Sequence, residues 1–404
     1  MRIVELAAFH VRIPLKKRIR HASFARDEND TLLVRCRLDT GHVGWGEGLP
    51  RPYVTGESIG TAWEQVQRTA WSEQLGGTFD DLKGAVALAD RTTLAPPAQG
   101  LPPAFADRGC FGNSVRCAVE LAILDAVTRA AEVPLSAVTA LVPETAGIRQ
   151  SREAVQYSAV LTAESPFKQW LSAWKYRLYG FAQVKVKVGA ADVDDAAILA
   201  RTRRILGPKV ELRVDANEAW SCATLVEKMA PLRPFDIRSI EQPVPHAESD
   251  GLAAVRGEVG IPFMLDESLC SLADAQRAIE RGTCDLFNLR LSKCGGFLRT
   301  LRLAALAHRA GLGYQLGCQV GETGILSAAG RHFATSVGEI RNLEGSYDRH
   351  LVRERLTHED ITFGKGGRAA KLDGPGLGVT VDEAAVRRVT LAEASWPIDP
   401  GRPM

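Results

Sequence analysis

VKVK at residues 184–187, VDAN at 214–217, IEQP at 240–243, LDE at 265–267 and LRLSKCGG at 289–296 decide the fold of this chain. Each opens on apolar, strand-like residues and closes on charged or polar groups. Outward from them, short apolar segments centred near Ser158, Lys185, Val214, Ser239, Met264, Asn288, Tyr314 and Arg341 recur every 24 to 29 residues. Helical patterns fill most of the intervals, at 193–206, 221–229, 272–280 and 298–310. Eight strand–helix units over roughly 200 residues are what a closed (β/α)8 barrel requires. An open doubly wound sheet is the competing arrangement, and even spacing of eight strands favours closure. In a barrel the polar strand ends converge on one mouth.

The first fifty residues read instead as antiparallel strands, at 4–14, 31–38 and 43–47, with a turn at 39–41. Helical patterns run from about 58 to 142, broken by PPAQGLPP at 96–103. Within them, NSVRCAVELAILDAVTRA at 113–130 has apolar residues at three-four spacing and Asn113 as a candidate N-cap. After GKGG at 364–367 and GPGLG at 374–378 the tail returns to strand and turn signals. The expectation is an α/β protein: an α+β capping domain over 1–140, a modified (β/α)8 barrel over 141–360, and a segment over 361–404 returning to the cap.

Composition narrows the function classes. The 404 residues are 45% hydrophobic and 24% charged, with a formal charge of +2 and scattered arginines, which gives no reason to expect a nucleic-acid partner. Eight cysteines without CxxC spacing read as reduced thiols in a cytoplasmic protein. The N-terminus lacks a secretory apolar run and no stretch reaches 18 uncharged apolar residues, so neither export nor membrane spanning is expected. Gly41, Gly44, Gly46 and Gly56 lack P-loop spacing, and no G-x-G-x-x-G is present. Gly295-Gly296 opens a helix that could admit an anion or simply pack tightly.

Asp215, Glu241 and Asp266 lie 26 and 25 residues apart, one barrel unit each. Three carboxylates gathered at one mouth repel one another, and a hard divalent cation resolves the conflict. With no His or Cys in phase, the donors favour Mg²⁺, with Mn²⁺ a substitute; Asn217 and Glu267 are placed to orient the ligands. Helix capping by these acids is the plainer alternative. Lys185 and Lys187 alternate with valines and share one side of a strand, and crowding of two ammoniums lowers the pKa of one of them. Lys293 reaches the mouth from four units further round, nearly opposite. A proton next to a carboxylate is very weakly acidic, because its loss yields a dianionic enediolate. A bound cation stabilises that charge, and a lysine takes the proton.

In this set the sequence resembles the enolase superfamily, in its muconate-lactonising-enzyme subgroup, over almost the whole chain. The resemblance implies Lys187 as the base nearer the substrate, Lys185 as its electrostatic modulator and Lys293 as the lysine on the opposite face. It further implies Asp215, Glu241 and Asp266 as metal ligands. Cap loops at 21–30 and 50–57 would close over the mouth, making His21, Arg26 and Tyr53 candidates for substrate specificity. Glu322 matches a seventh-strand acid that could bond substrate or tune Lys293, or could merely cap the next helix. The leading expectation is a muconate-type cycloisomerase. The alternative is a racemase or epimerase of an N-acyl amino acid or dipeptide, with a dehydratase behind them. The residues from Arg341 to Asp348 lack the D-x-D that engages the substrate amino group in dipeptide epimerases. A metal-stabilised carboxylate-binding or structural protein is the non-enzymatic alternative. The resemblance also implies a homo-oligomer, a dimer or octamer, acting on a small carboxylate.

Overall fold

The computed structural model describes residues 1–20, 25–98, 100–162, 165–191 and 193–399. Strands β1 (Ile3–Arg20), β2 (Ala25–Leu38) and β3 (Val43–Gly48) form an antiparallel sheet. Strand β14 (Thr390–Pro397) completes it, pairing antiparallel with β1 to give the order β14-β1-β2-β3. The C-terminal strand thus forms one edge of this sheet. On the way back, β13 (Arg368–Ala370) pairs with β4 (Ala154–Gln156).

The second sheet has eight parallel strands, β5 (Ala159–Leu161), β6 (Gln183–Lys187), β7 (Glu211–Asp215), β8 (Ile237–Glu241), β9 (Phe263–Leu265), β10 (Leu286–Leu289), β11 (Gly313–Leu316) and β12 (Ile340–Leu343), paired in sequence order. It curls on itself: the Ser158 amide, beside β5, donates to the Leu343 carbonyl of β12 at 2.8 Å. This is the barrel, with one departure from eight equal units. After β12 the chain forms the four-residue helix Asp348–Leu351 and then leaves the barrel, by way of β13 and the seven-residue helix Glu383–Val389, to rejoin the first sheet.

Strand β3 shows how the first sheet seats its helix. Gly44, Gly46 and Gly48 recur with period two, so they line one face of the strand. That face lies directly on helix Asn113–Ala130. A Cβ on Gly44 would sit 2.1 Å from the Ala126 nitrogen, on Gly46 2.0 Å from the Ala118 carbonyl oxygen, and on Gly48 1.9 Å from that of Ser114. The glycines are therefore a backbone-to-backbone contact surface, and only a missing side chain permits it.

The helix itself is capped differently from expectation. Its N-cap is Gly112, not Asn113. The Asn113 amide instead donates to the carbonyls of Cys270, at 2.8 Å, and Lys293, at 2.7 Å. A side chain that can donate twice is better used bridging two buried carbonyls than closing a helix end.

Buried glutamates take over the capping. Glu57 accepts from Ser114 Oγ at 2.5 Å, and Glu47 from the Leu326 amide at 2.9 Å. Glu120 accepts from the Leu298 amide at 3.0 Å, at the head of helix Phe297–Arg309. A Cβ on Gly296 would lie 2.4 Å from the Glu120 carboxylate. Gly295-Gly296 thus admits an anion that the chain itself supplies. Burial pushes the Glu120 carboxyl up to about 7. A raised folded-state pKa means that ionisation is harder in the folded chain, so stability is lost as pH climbs from the ordinary carboxyl range through about 7. Glu120→Gln is therefore expected to melt near the wild-type temperature at pH 5 and above it at pH 8. Parallel melting curves across that range, recorded by calorimetry, would contradict this.

Candidate active site

Polar groups line the barrel interior with the period of two that strands impose. On β6, Lys185 and Lys187 share the inward face; on β7, Arg213 and Asp215 do so, and Glu241 ends β8. The carboxylates of Asp215, Glu241 and Asp266 are fully buried. The Lys187 ammonium donates to Asp215 Oδ2 at 2.6 Å and Asn217 Oδ1 at 2.5 Å. Asn217 turns back at a positive φ of 45°, and its backbone N–H donates to Asp215 Oδ1 at 3.0 Å. The Lys185 ammonium lies 3.1 Å from both Glu241 oxygens and 3.2 Å from Asp215 Oδ2. Across the mouth, Lys293 Nζ donates to Asp266 Oδ1 at 2.9 Å and to the carbonyls of Asp266, at 2.6 Å, and Asn288, at 2.8 Å. The residues read from five separate strand ends form one connected network.

Two charged groups that sequence reasoning passed over belong to it. Arg290 contacts Asp266 and lies 3.6 Å from Glu241 Oε1. Glu344, just past the end of β12, accepts from Lys185 at 3.1 Å and pairs with Arg213. Arg213, the partner of Glu344, did carry a signal: it stands two residues before Asp215, on the same strand face. Asn288 and Gln315 add donors to Glu241 at 2.9 and 3.4 Å.

The lysines divide by environment. Burial opposes the charge on Lys185, but Glu241, Glu344 and Asp215 outweigh it and hold that amine above the ordinary lysine range. The expectation that crowding lowers a pKa in this pair fails at Lys185, because the carboxylates around it outnumber its ammonium neighbour. The depressed amine is Lys293, pushed down chiefly by burial. Lys187 has a side chain 27% exposed, against 3% for Lys185 and none for Lys293, so it is the lysine open to an entering molecule.

Among the described residues no three His, Cys, Asp or Glu groups close around one point as a finished metal cage. Lys185 bridges Asp215 to Glu241, and Arg290 bridges Glu241 to Asp266. The donor set nevertheless fits a hard divalent cation. It is oxygen-only, buried and confined to successive strand ends. Glu241 remains raised, by burial first and by Asp215 next, so the chain's own cations compensate the cluster incompletely.

The remaining candidates sit at the rim. Glu267 is buried, and its carboxyl is pushed up to about 7 by burial, then by Asp215 and Glu241. Glu322 does not cap the following helix, whose cap is Thr323. Its carboxylate accepts from the Gln319 backbone N–H at 2.6 Å, and burial raises it to about 8. Arg26 donates weakly to the Val320 carbonyl at 3.4 Å, and Arg51 reaches the same oxygen at 3.2 Å. Tyr53 packs against the buried cluster of Val54, Cys110 and Cys270. His21 lies outside the described residues.

A barrel mouth with paired acids and amines on opposite sides defines a metal-dependent enzyme of isomerase type, and comparison with known proteins agrees. Residues 171–385 match the family model described as enolase C-terminal domain-like. The chain is 30% identical to D-Ala-D/L-Ala epimerase of Cytophaga hutchinsonii, over 71% of its own length and 72% of that protein. It is 25% identical to N-succinyl-L-Arg/Lys racemase of Bacillus cereus, over 97% and 98%. The crystal structure of that racemase superposes with a TM-score of 0.82 at 24% identity, covering 98% of this chain and all of the other. The chain belongs to the enolase superfamily, with the fold of its mandelate-racemase and muconate-lactonising members. The subgroup expectation needs one correction: these relatives are mostly racemases and epimerases rather than muconate cycloisomerases.

Proposed function

We propose that this enzyme racemises or epimerises an amino acid whose nitrogen is acylated, removing and returning the proton next to the free carboxylate. The observation that carries this reading is the placement of Lys187 at the end of β6 and of Lys293 on the short helix Leu291–Cys294 just after β10, four strands further round the ring. In the proposed arrangement Asp215, Glu241 and Asp266 hold Mg²⁺ or Mn²⁺. That ion, when bound, supplies Lewis-acid stabilisation of charge growing on the substrate carboxylate. Lys187 takes the α-proton on one face, and Lys293 delivers one on the other. Lys185, kept charged by its three acidic neighbours, adds positive potential beside the developing dianion. Asn217 holds Lys187 in place.

The nitrogen substituent follows from the end of β12. Glu344 is committed to Lys185 and Arg213. Ser346 Oγ donates to the Ile361 carbonyl at 2.6 Å and accepts from Arg331 at 2.8 Å. Neither side chain is left to receive a substrate ammonium, which favours an acylated nitrogen over the free terminus of a dipeptide. A dipeptide epimerase is the second reading, favoured by the identity to the Cytophaga hutchinsonii enzyme.

The test is α-proton exchange in deuterated water, with Mg²⁺, across N-acyl amino acids, dipeptides and muconates. Metal-dependent exchange together with interconversion of enantiomers is expected for N-acyl amino acids. Muconate turnover without exchange in either amino-acid class would establish the cycloisomerase instead. No exchange or turnover in any class would leave a binding protein.

A further inference from the structure

The loop 317–323 leaves the mouth end of β11 and carries a side chain whose task the reaction scheme has not used. Gln319 is 3% exposed, yet neither its Oε1 nor its Nε2 has a hydrogen-bond partner among the described residues. Burying a carboxamide unpaired at both ends is costly, and most buried polar side chains avoid it. Its place in the chain directs it at the site. Gln315 of β11 donates inward to Glu241. A Cβ on Gly317 would lie 2.3 Å from Oδ1 of Asn288, whose Nδ2 also donates to Glu241. Gln319 continues that period of two past the strand end. Its main chain is held: the Glu322 carboxylate accepts from the Gln319 backbone N–H at 2.6 Å. The cap grips the next two residues, Arg51 donating to the Val320 carbonyl at 3.2 Å and Asn29 to that of Gly321 at 3.0 Å. A fixed backbone that presents an unpaired polar group is how a binding site is preorganised.

We infer that Gln319 recognises the acyl group of the substrate, its Nε2 donating to the carbonyl oxygen of the amide that caps the α-nitrogen. The inference rests on the N-acyl reading given above and adds the residue that selects for it. Such a substrate brings two strong acceptors into the mouth. Its carboxylate belongs to the metal, and its acyl oxygen needs a donor. The cations nearby are already engaged: Lys185 with Glu241, Lys187 with Asp215, Lys293 and Arg290 with Asp266, and Arg26 and Arg51 with the Val320 carbonyl. Gln319 is uncommitted, and a neutral donor adds no charge beside the lysines that move the proton. An acyl oxygen pairs the buried N–H; a substituent without one leaves it unpaired in a closed site. That asymmetry makes the side chain a filter, because a site built around a hydrogen bond rejects the ligand that cannot form it.

The experiment compares 2-acyloxy acids with 2-alkoxy acids of equal length as competitive inhibitors of N-acyl amino acid racemisation by the full chain with Mg²⁺. The two ligands differ in the carbonyl oxygen alone, and neither substituent carries charge or an N–H. Wild type is expected to hold the acyloxy acid roughly tenfold more tightly, the worth of one well-made hydrogen bond. Gln319→Met, close in length and shape but without a donor, should bring the two inhibition constants together. Should that variant misfold, Gln319→Leu carries the same prediction, and the wild-type preference is read without any variant. Equal inhibition of wild type by both acids overturns the inference. So does a variant that keeps the preference, or one that weakens both ligands by the same factor, which is the mark of a structural role. A wild type that racemises no N-acyl amino acid removes the reading beneath the inference and the inference with it; every other adverse result removes the role of Gln319 alone.

Discussion

Lys293→Ala is expected to lose interconversion of substrate enantiomers by roughly 10²–10⁴-fold, the usual worth of a positioned acid or base, while still exchanging the α-proton of one enantiomer with solvent. Lys187→Ala should show the same loss and exchange the opposite enantiomer. With one amine gone, the other still removes and returns hydrogen on its own face, so the label enters but the configuration does not invert. The pH dependence should be asymmetric too. Lys293 must be neutral to accept a proton, and burial lowers its pKa. The direction that uses it as base therefore gains rate as pH rises through that depressed value and holds a plateau below the ordinary lysine range. Proton NMR in deuterated water follows both quantities at once. If either variant inverts its substrate at the wild-type rate in both directions, the two-amine scheme is wrong.

The second large effect concerns the metal. Asp215→Ala is expected to weaken Mn²⁺ or Mg²⁺ binding beyond the ~10–100-fold that losing a mere outer-shell contact costs. The lysines hold the Asp215 carboxyl well below its ordinary range, so it offers a charged oxygen even in mild acid. Glu241, raised by burial and by Asp215 itself, is protonated first. Affinity should thus fall as pH drops through the Glu241 titration, while Asp215 is still ionised. Calorimetric titration of the metal-free chain measures both points. Wild-type affinity in the variant would remove Asp215 from the ligands.

The barrel was legible in the sequence because each strand end repeats the same event, an apolar run closing on a polar residue, at nearly constant spacing. Lys185, Lys187, Asp215, Glu241, Asp266 and Lys293 could be named for the same reason. The missing helix after β12 was not legible, since nothing in the strand pattern records where the chain goes next. Arg290 and Glu344 were hidden by their function as counter-charges. Their meaning depends on which strand lies beside which, and a local reading of β10 or β12 contains no neighbour. Asn113 was misread for a related reason: an Asn at a helix head resembles a cap, and its true acceptors lie 157 and 180 residues away.

That asparagine has a consequence for taking the molecule apart. Its amide fixes the main chain at Lys293, and it stands one residue before Ser114, over which Gly48 closes without space for a methyl group. The amine at 293 therefore inherits its position from residues in the first third of the polypeptide. A barrel produced alone would retain its lysines yet lose the strut that aims one of them. A chimera with a foreign lid would recover turnover only if the graft restored both the amide and the bare strand that seats it.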